Sequence, residues 1–437
     1  MSASAEAAGP RAGYGRGAAI LSVGIGVTGL VTYAYFSLAA HTLSDSDYGG
    51  VTLLWSAVFI VVSVLYRPVE QLLSRTIADR DVRGQEGNEH LRVAATIQLA
   101  LAALFAVVAL ALRGPLEDGL FGGSATLYWV MIAAVLWYAA SYFARGFLAG
   151  HHRFGLYGLL VLLEALSRVA FAVAVAVGIA EGQSAVALGI AAAPLFSLSV
   201  VPWALRRRLR AAPSAAGEPL PDDSTPEQAQ FTLARGAGFA GAVLLIMIAE
   251  QTFLNGGPLL VKATESDGGT ALAGFAFNVL LIARAPLQLF QAVQTSILPH
   301  LTKLSASGQT DPFRRSVRVT LTAIAAFAGV VALAMLALGP QIMRVAFGAG
   351  GGYARGGLVL VALGMGLYLS AATLNQAALA HGRTRQAALC WVGSAIAFVI
   401  VLLIPGFDDR VLQVEVAYVG GAMLLCALLY ALYRRPA

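Results

Sequence analysis

Arg284 is the one charged residue in a mostly apolar stretch, AFNVLLIARAPLQLF from Ala276 to Phe290. A guanidinium in such a run either ties helices together or forks onto the oxygens of a phosphate or sugar acid. Asn278 precedes it, and Gln288, Gln291 and Gln294 follow at i, i+3 and i+6. That stripe is too polar to face hydrocarbon; it builds a hydrogen-bonded helix seam or the wall of a hydrophilic cavity able to hold hydroxyl-rich sugar. Pro286 frees a backbone carbonyl beside it and bends the helix, a candidate hinge. Glu164 and Arg168 are four residues apart, hence on one face of one helix. They read as a structural ion pair locking the N-terminal half, or as a cavity-lining pair with Arg168 turned to a diphosphate or sugar acid. Glu250, Gln251 and Asn255 form a third group, one helical turn long. Glu250 there is a candidate coupling carboxylate, exchanging a proton or sodium ion with solvent, or else an arginine's partner. Asn375 and Gln376 are a weaker version of the same signal.

The elements that must hold these groups follow from composition. Of 437 residues 58% are apolar and only 12% charged, and the mean hydropathy is +0.75, which is the profile of a chain folded in a bilayer. A hydrocarbon core of about 30 Å needs about 20 apolar residues per helix. Spans of that kind are expected at 17–40, 49–66, 91–112, 125–149, 156–179, 184–205, 236–261, 270–297, 313–338, 356–380, 386–404 and 413–433. The first is longer than a signal-peptide core of about 7–15 residues and reads as a retained helix. With twelve spans both termini share a side, and the connections on that side carry 22 Lys and Arg against five on the other. That asymmetry places both termini in the cytoplasm.

The net charge of +6 sits in short loops and marks topology; without aromatics interleaved it gives no nucleic-acid surface. Cys390 and Cys426 fall inside apolar runs and read as inert thiols, with no metal site. No HExxH, CxxC or Walker loop is present, and no expected outer loop is long enough to house a catalytic domain, so an enzyme is not expected. GAGGG at 348–352 precedes no nucleotide-fold helix and reads as a flexible turn. Arg67, Pro68 and Glu70 fall at the inner end of the second span, where interface anchoring and a Pro68 hinge are expected. Arg145 and Arg153 read as topology signals, His151 and His152 as loop surface. Gly24, Gly26 and Gly29 permit close helix approach, and Tyr33 and Tyr35 read as interface anchors.

Residues 206–235, rich in Pro, Ala and charge, separate residues 17–205 from 236–433. Residues 1–16 and 434–437 are the tails. Gly49 answers Gly274 at an offset of 225 residues, and Leu148-Ala149 answers Leu379-Ala380 at 231. An even number of helices per half gives the halves the same orientation. The expected fold is therefore an all-α polytopic membrane protein of twelve transmembrane helices. Its two six-helix bundles are related by a pseudo-two-fold axis along the membrane normal, with a site between them.

Three stretches carry a family resemblance: HTLSDSDYGG from His41 to Gly50, RGFLAGHHRFGLYGLLVLLEALSR from Arg145 to Arg168, and AGFAFNVLLIARAPLQLFQAVQTSILPHLTKL from Ala273 to Leu304. Together the chain resembles the polysaccharide flippases, the polysaccharide-transport branch of the multidrug/oligosaccharidyl-lipid/polysaccharide exporter superfamily. The resemblance implies a V-shaped pair of bundles that moves a polyprenyl-diphosphate-linked oligosaccharide between leaflets of the bacterial cytoplasmic membrane by alternating access. It implies membrane lipids, and a polysaccharide polymerase or glycosyltransferase, as partners. No cofactor is implied beyond a coupling proton or sodium ion. Arg284, Arg168, Glu164, Asn278, Gln288, Gln291 and Asn255 are then the cavity candidates and Glu250 the coupling candidate. A multidrug exporter of the same superfamily is expected to carry a deep acidic residue in its first helix, and 17–40 has none. A lipid II flippase is expected to show more cavity arginines and extra C-terminal helices. For a major-facilitator transporter, IADRDVR from Ile77 to Arg83 lacks the loop motif's glycines at Arg75 and Val82. A membrane glycan polymerase or ligase would need a larger outer loop and no repeat.

Overall fold

A computed structural model describes residues 10–82, 87–202, 233–265, 268–284, 287, 310–348, 352–405 and 407–435. These contain helices and no strand. The N-terminal half comprises α1 (Pro10–Thr42), α2 (Asp45–Leu65), α3 (Arg67–Val82), α4 (Glu89–Ala111), α5 (Ala125–Gly150), α6 (Phe154–Ala176) and α7 (Gly182–Ser197). The C-terminal half comprises α8 (Leu233–Thr264), α9 (Gly269–Arg284), α10 (Thr310–Phe347), α11 (Arg355–Ala380), α12 (Thr384–Leu403) and α13 (Arg410–Arg434). α2 and α3 run on as one 37-residue span. Ten helices among the described residues are long and apolar enough to cross a membrane, and with α1 and the shorter α9 they make twelve segments, the number that hydropathy anticipates.

The expected loop after residue 66 is a correction. The chain breaks stride at Tyr66 and then stays helical to Val82. Pro68 stands in the first turn of α3, where an N–H has no intrahelical partner to lose. Val69, Leu73 and Ile77 recur every four residues and are buried against α5 with Phe143 and Phe147. Gly146 and Gly150 let them in: a β-carbon on Gly146 would lie 2.9 Å from the Glu70 carbonyl oxygen, and one on Gly150 2.7 Å from Ile77 Cβ. Charges at Glu70, Arg75 and Asp79 lower the hydropathy of this segment while leaving its apolar stripe whole. α10 also outruns its expected end at 338, reaching Phe347.

Packing repeats between the halves. α1 lies on α6, α4 and α7 on α5, and α6 on α7; α8 lies on α12, α10 and α13 on α11, and α12 on α13. A β-carbon on Gly24 would touch Gly158 Cα at 3.4 Å, the close approach of α1 to α6 that its glycines anticipate. The halves meet through α2 with α8 and α1 with α10, and through the Phe36–Phe277 ring pair, centroids 4.6 Å apart.

The basic turns repeat atom for atom. Arg153 N–H donates to the Leu148 carbonyl at 2.8 Å and His152 N–H to that of Ala149 at 3.0 Å; Arg383 donates to Ala378 at 2.9 Å and Gly382 to Leu379 at 3.0 Å. These are the crossed bonds of a left-handed helix stop. The register is therefore 230 residues at this turn, which corrects the offset of 231. The left-handed position is Gly382 (φ 73°) in one half and His152 (φ 55°) in the other. Gly382→Ala should lower stability by about 1–2 kcal/mol, the cost of a side chain in that conformation, whereas His152→Gly should not lower it. Thermal unfolding of the purified protein in detergent compares the two.

Candidate functional site

A cavity of about 170 Å³ lies between the halves. Helical phase explains its wall. Gly29, Thr32, Tyr33 and Phe36 form one stripe of α1; Trp55, Phe59 and Ser63 form one stripe of α2, which Arg67 continues across the break. Gln251, Leu254 and Asn255 come from α8, Leu281 and Arg284 from α9. Among the described lining residues each half thus gives one arginine, and none is a carboxylate.

Arg284 reaches across to α8 and donates from Nη2 to the Leu254 carbonyl oxygen. That carbonyl is free because Pro258, four residues on inside α8, has no N–H to return. The guanidinium lies over the Phe277 ring at 4.4 Å. Its Nε has no partner, and no carboxylate among the described residues pairs with it. Asn255 donates to Gln251 Oε1 at 2.8 Å, and its own Oδ1 is buried and unpartnered. Arg67, expected as an interface anchor, instead lines the cavity. Glu250 is half-buried on α8 and with Glu70 acts electrostatically on Arg67, but it is not itself in the wall. Tyr33 lines the cavity too, and Tyr35 is fully buried with its hydroxyl donating to the Val186 carbonyl at 3.1 Å; neither is the interface anchor expected.

Glu164 and Arg168 are 2% and 3% exposed, yet they do not pair with each other. Glu164 forms its salt bridge with Arg145 of α5, accepts from Ser141 Oγ at 2.5 Å and from Ser197 Oγ at 3.3 Å. Arg145, expected as a topology marker, is therefore part of the interior. Arg168 donates to the Tyr138 hydroxyl at 2.9 Å and lies 5.1 Å from the Trp55 ring centroid. Trp55 lines the cavity and Arg168 stands behind it. Glu70 is likewise interior, accepting from the Tyr157 hydroxyl at 2.8 Å.

Asn278 is buried and is not among the cavity's lining residues. It accepts from the Tyr48 hydroxyl and donates to that of Tyr353 at 3.2 Å, joining α2, α9 and the start of α11. One turn away the repeat glycines face each other: a β-carbon on Gly274 would lie 3.1 Å from Gly49 Cα, and one on Gly49 only 1.9 Å from the Thr270 carbonyl oxygen. The halves are thus shut at the end opposite the basic turns. Asn375 accepts from Trp391 Nε1 at 3.1 Å and is a packing group. Pro286, Gln288, Gln291 and Gln294 lie outside the described residues; Pro68 sits at the α2–α3 break.

An inward-facing multidrug resistance MATE family transporter of the MOP superfamily superimposes on the chain with a TM-score of 0.65 at 14% identity, over 95% of this chain and 97% of that one. An outward-facing transporter of the same description gives 0.58 at 16% identity, over 96% and 94%. The fold is that of MATE transporters, two lobes and twelve membrane helices around a central space. Among curated proteins, the chain is similar to the uncharacterized protein Rv3630 of Mycobacterium tuberculosis, 27% identical over 392 residues, covering 87% of this chain and 83% of that one. No family model matches the chain.

Proposed function

We propose that the protein is a flippase that carries a polyprenyl-diphosphate-linked oligosaccharide across a bacterial cytoplasmic membrane by alternating access. The observation that carries this reading is the cavity lining: among the described residues, one guanidinium from each half, amide and hydroxyl groups between them, and no carboxylate. A guanidinium pair suits a diphosphate, and the amides and hydroxyls suit a sugar. A cationic drug would meet only positive charge in the same wall. With the basic turns in the cytoplasm, as the charge asymmetry of the loops favours, the contact at Gly49 and Gly274 closes the outer side. The cavity would then load from the inner leaflet, in keeping with the higher score against an inward-facing relative by fold. Deletion of the gene should leave lipid-linked oligosaccharide on the inner leaflet. The measurement is the accessibility of radiolabelled lipid-linked sugar to an external glycosidase in spheroplasts. Unchanged accessibility, in a strain with no second flippase, would overturn the assignment.

A further inference from the structure

One buried acid has no place in the central cavity or in the Arg145–Glu164 network. Glu415 lies in the second turn of α13, is 3% exposed, and rests against the first turn of α11. A β-carbon on Gly357 would lie 1.8 Å from Glu415 Oε2 and 2.2 Å from Oε1. With the side chain placed as it is, the absence of a β-carbon at Gly357 leaves the room that the carboxyl occupies against the first turn of α11. None of the described residues donates a side-chain hydrogen bond to it or pairs with it.

The charges around it are otherwise engaged or turned away. On its own helix, Arg410 is held by Glu265 Oε1 at 2.6 Å and Gln413 Oε1 at 2.7 Å. Asp409 caps α13 through the Val411 and Leu412 amides and opposes a second negative charge nearby. Arg355 on α11 and Arg344 on α10 are exposed. The last turn of α8 carries Lys262, and just past its end is Glu265, which Arg410 occupies. The basic group of α12, Arg385, is at that helix's other end.

We propose that Glu415 is a proton-binding site of the C-terminal half, independent of what the central cavity carries. With α11 and α13 closed, as here, the side chain is the neutral acid. Ionised, it would be a buried anion with no partner among the described residues, a state proteins avoid by taking up a proton or admitting water. The proton comes from solvent at the end where α11 and α13 begin, and it returns there when the two helix ends part. One carboxylate beside a glycine offers too few oxygens for a calcium or magnesium ion, which take six or more ligands. The positive end of α11 partly offsets a charge formed there, so the site can release its proton instead of holding it permanently. Closing this helix pair therefore takes up one proton, and by linkage acid favours the closed arrangement.

Infrared difference spectroscopy on the full-length protein in lipid nanodiscs, taken as pH is raised, reads this directly. The wild type should lose a carbonyl band of a protonated carboxyl. Glu415→Gln, the shape of the neutral acid, should lack that band while keeping its helical content. If Glu415→Gln does not fold, Glu415→Asp serves, and the same band should shift in frequency. A wild-type difference band that Glu415→Gln retains unchanged, or that Glu415→Asp leaves unshifted, would overturn the proposal, as would the absence of any protonated-carboxyl band.

Discussion

Arg284→Ala is expected to abolish export while leaving the protein inserted and folded, and Arg284→Lys to retain part of the activity. Two features of its setting make the loss large. Arg284 sits between the halves with no acid beside it among the described residues, so its charge is open to a ligand's. Its companion Arg67 has Glu250 and Glu70 acting on it, so Arg67→Ala should cost less than Arg284→Ala. Lysine keeps the charge and loses the fork that holds two phosphate oxygens at once. A charge-assisted hydrogen bond is worth about 1.5–3 kcal/mol, and loss of two should slow transport on the order of a hundredfold or more. The rival account is that Arg284 merely satisfies the Leu254 carbonyl that Pro258 orphans. Pro258→Ala separates the two, because it returns an N–H to that carbonyl. If Arg284 serves only the helix, Arg284→Ala should recover in the Pro258→Ala background. If it holds substrate, it should stay inactive there, with sugar-lipid export measured in both.

The parts of this arrangement that could be read in the sequence are those set by hydropathy and spacing. Twelve apolar runs and a basic turn recurring half a chain apart are enough for spans and repeat, because the bilayer enforces length and the loops carry the charge. α3 was hidden because its mean hydropathy is low, although Val69, Leu73 and Ile77 keep a helical stripe through its charges. The same break hides Arg67: Trp55, Phe59 and Ser63 lie at four-residue steps, and Arg67 is the next step only if the helix continues past Tyr66. Whether a polar side chain faces a cavity, a neighbouring helix or a repeat partner depends on rotation about the helix axis. Asn278 and Asn255 look alike in sequence, yet one is bound to two tyrosines and the other faces the central space. Glu415 gave no signal at all, since a carboxylate two residues into a span looks like one at the interface. The glycine it rests against lies 58 residues earlier, and only the folded chain brings the two together.

The spacing of Glu164 and Arg168 suggested the wrong partner for a physical reason. On one helix, residues four apart can touch, but Arg168 points toward Tyr138 and Trp55 while Glu164 is claimed by α5 and α7. Glu164 therefore ties three helices through Arg145, Ser141 and Ser197. Glu164→Gln is expected to destabilise the protein by about 3–5 kcal/mol, since it leaves the Arg145 charge buried without its partner. Arg145 has little recourse: its Nε already lacks an acceptor, and its guanidinium carbon is held 4.5 Å from the Tyr142 ring centroid. Removing both charges should be far milder. Glu164→Gln with Arg145→Met should recover most of the lost stability, because neither side then carries an uncompensated charge. Denaturant unfolding of the four proteins in detergent gives the coupling between the sites. Transport by the double variant then divides the roles. Wild-type rates would make the pair a brace for α5, α6 and α7. A stable but inactive double variant would mean that the charges themselves are needed as the halves rock, and that the brace must open during the cycle.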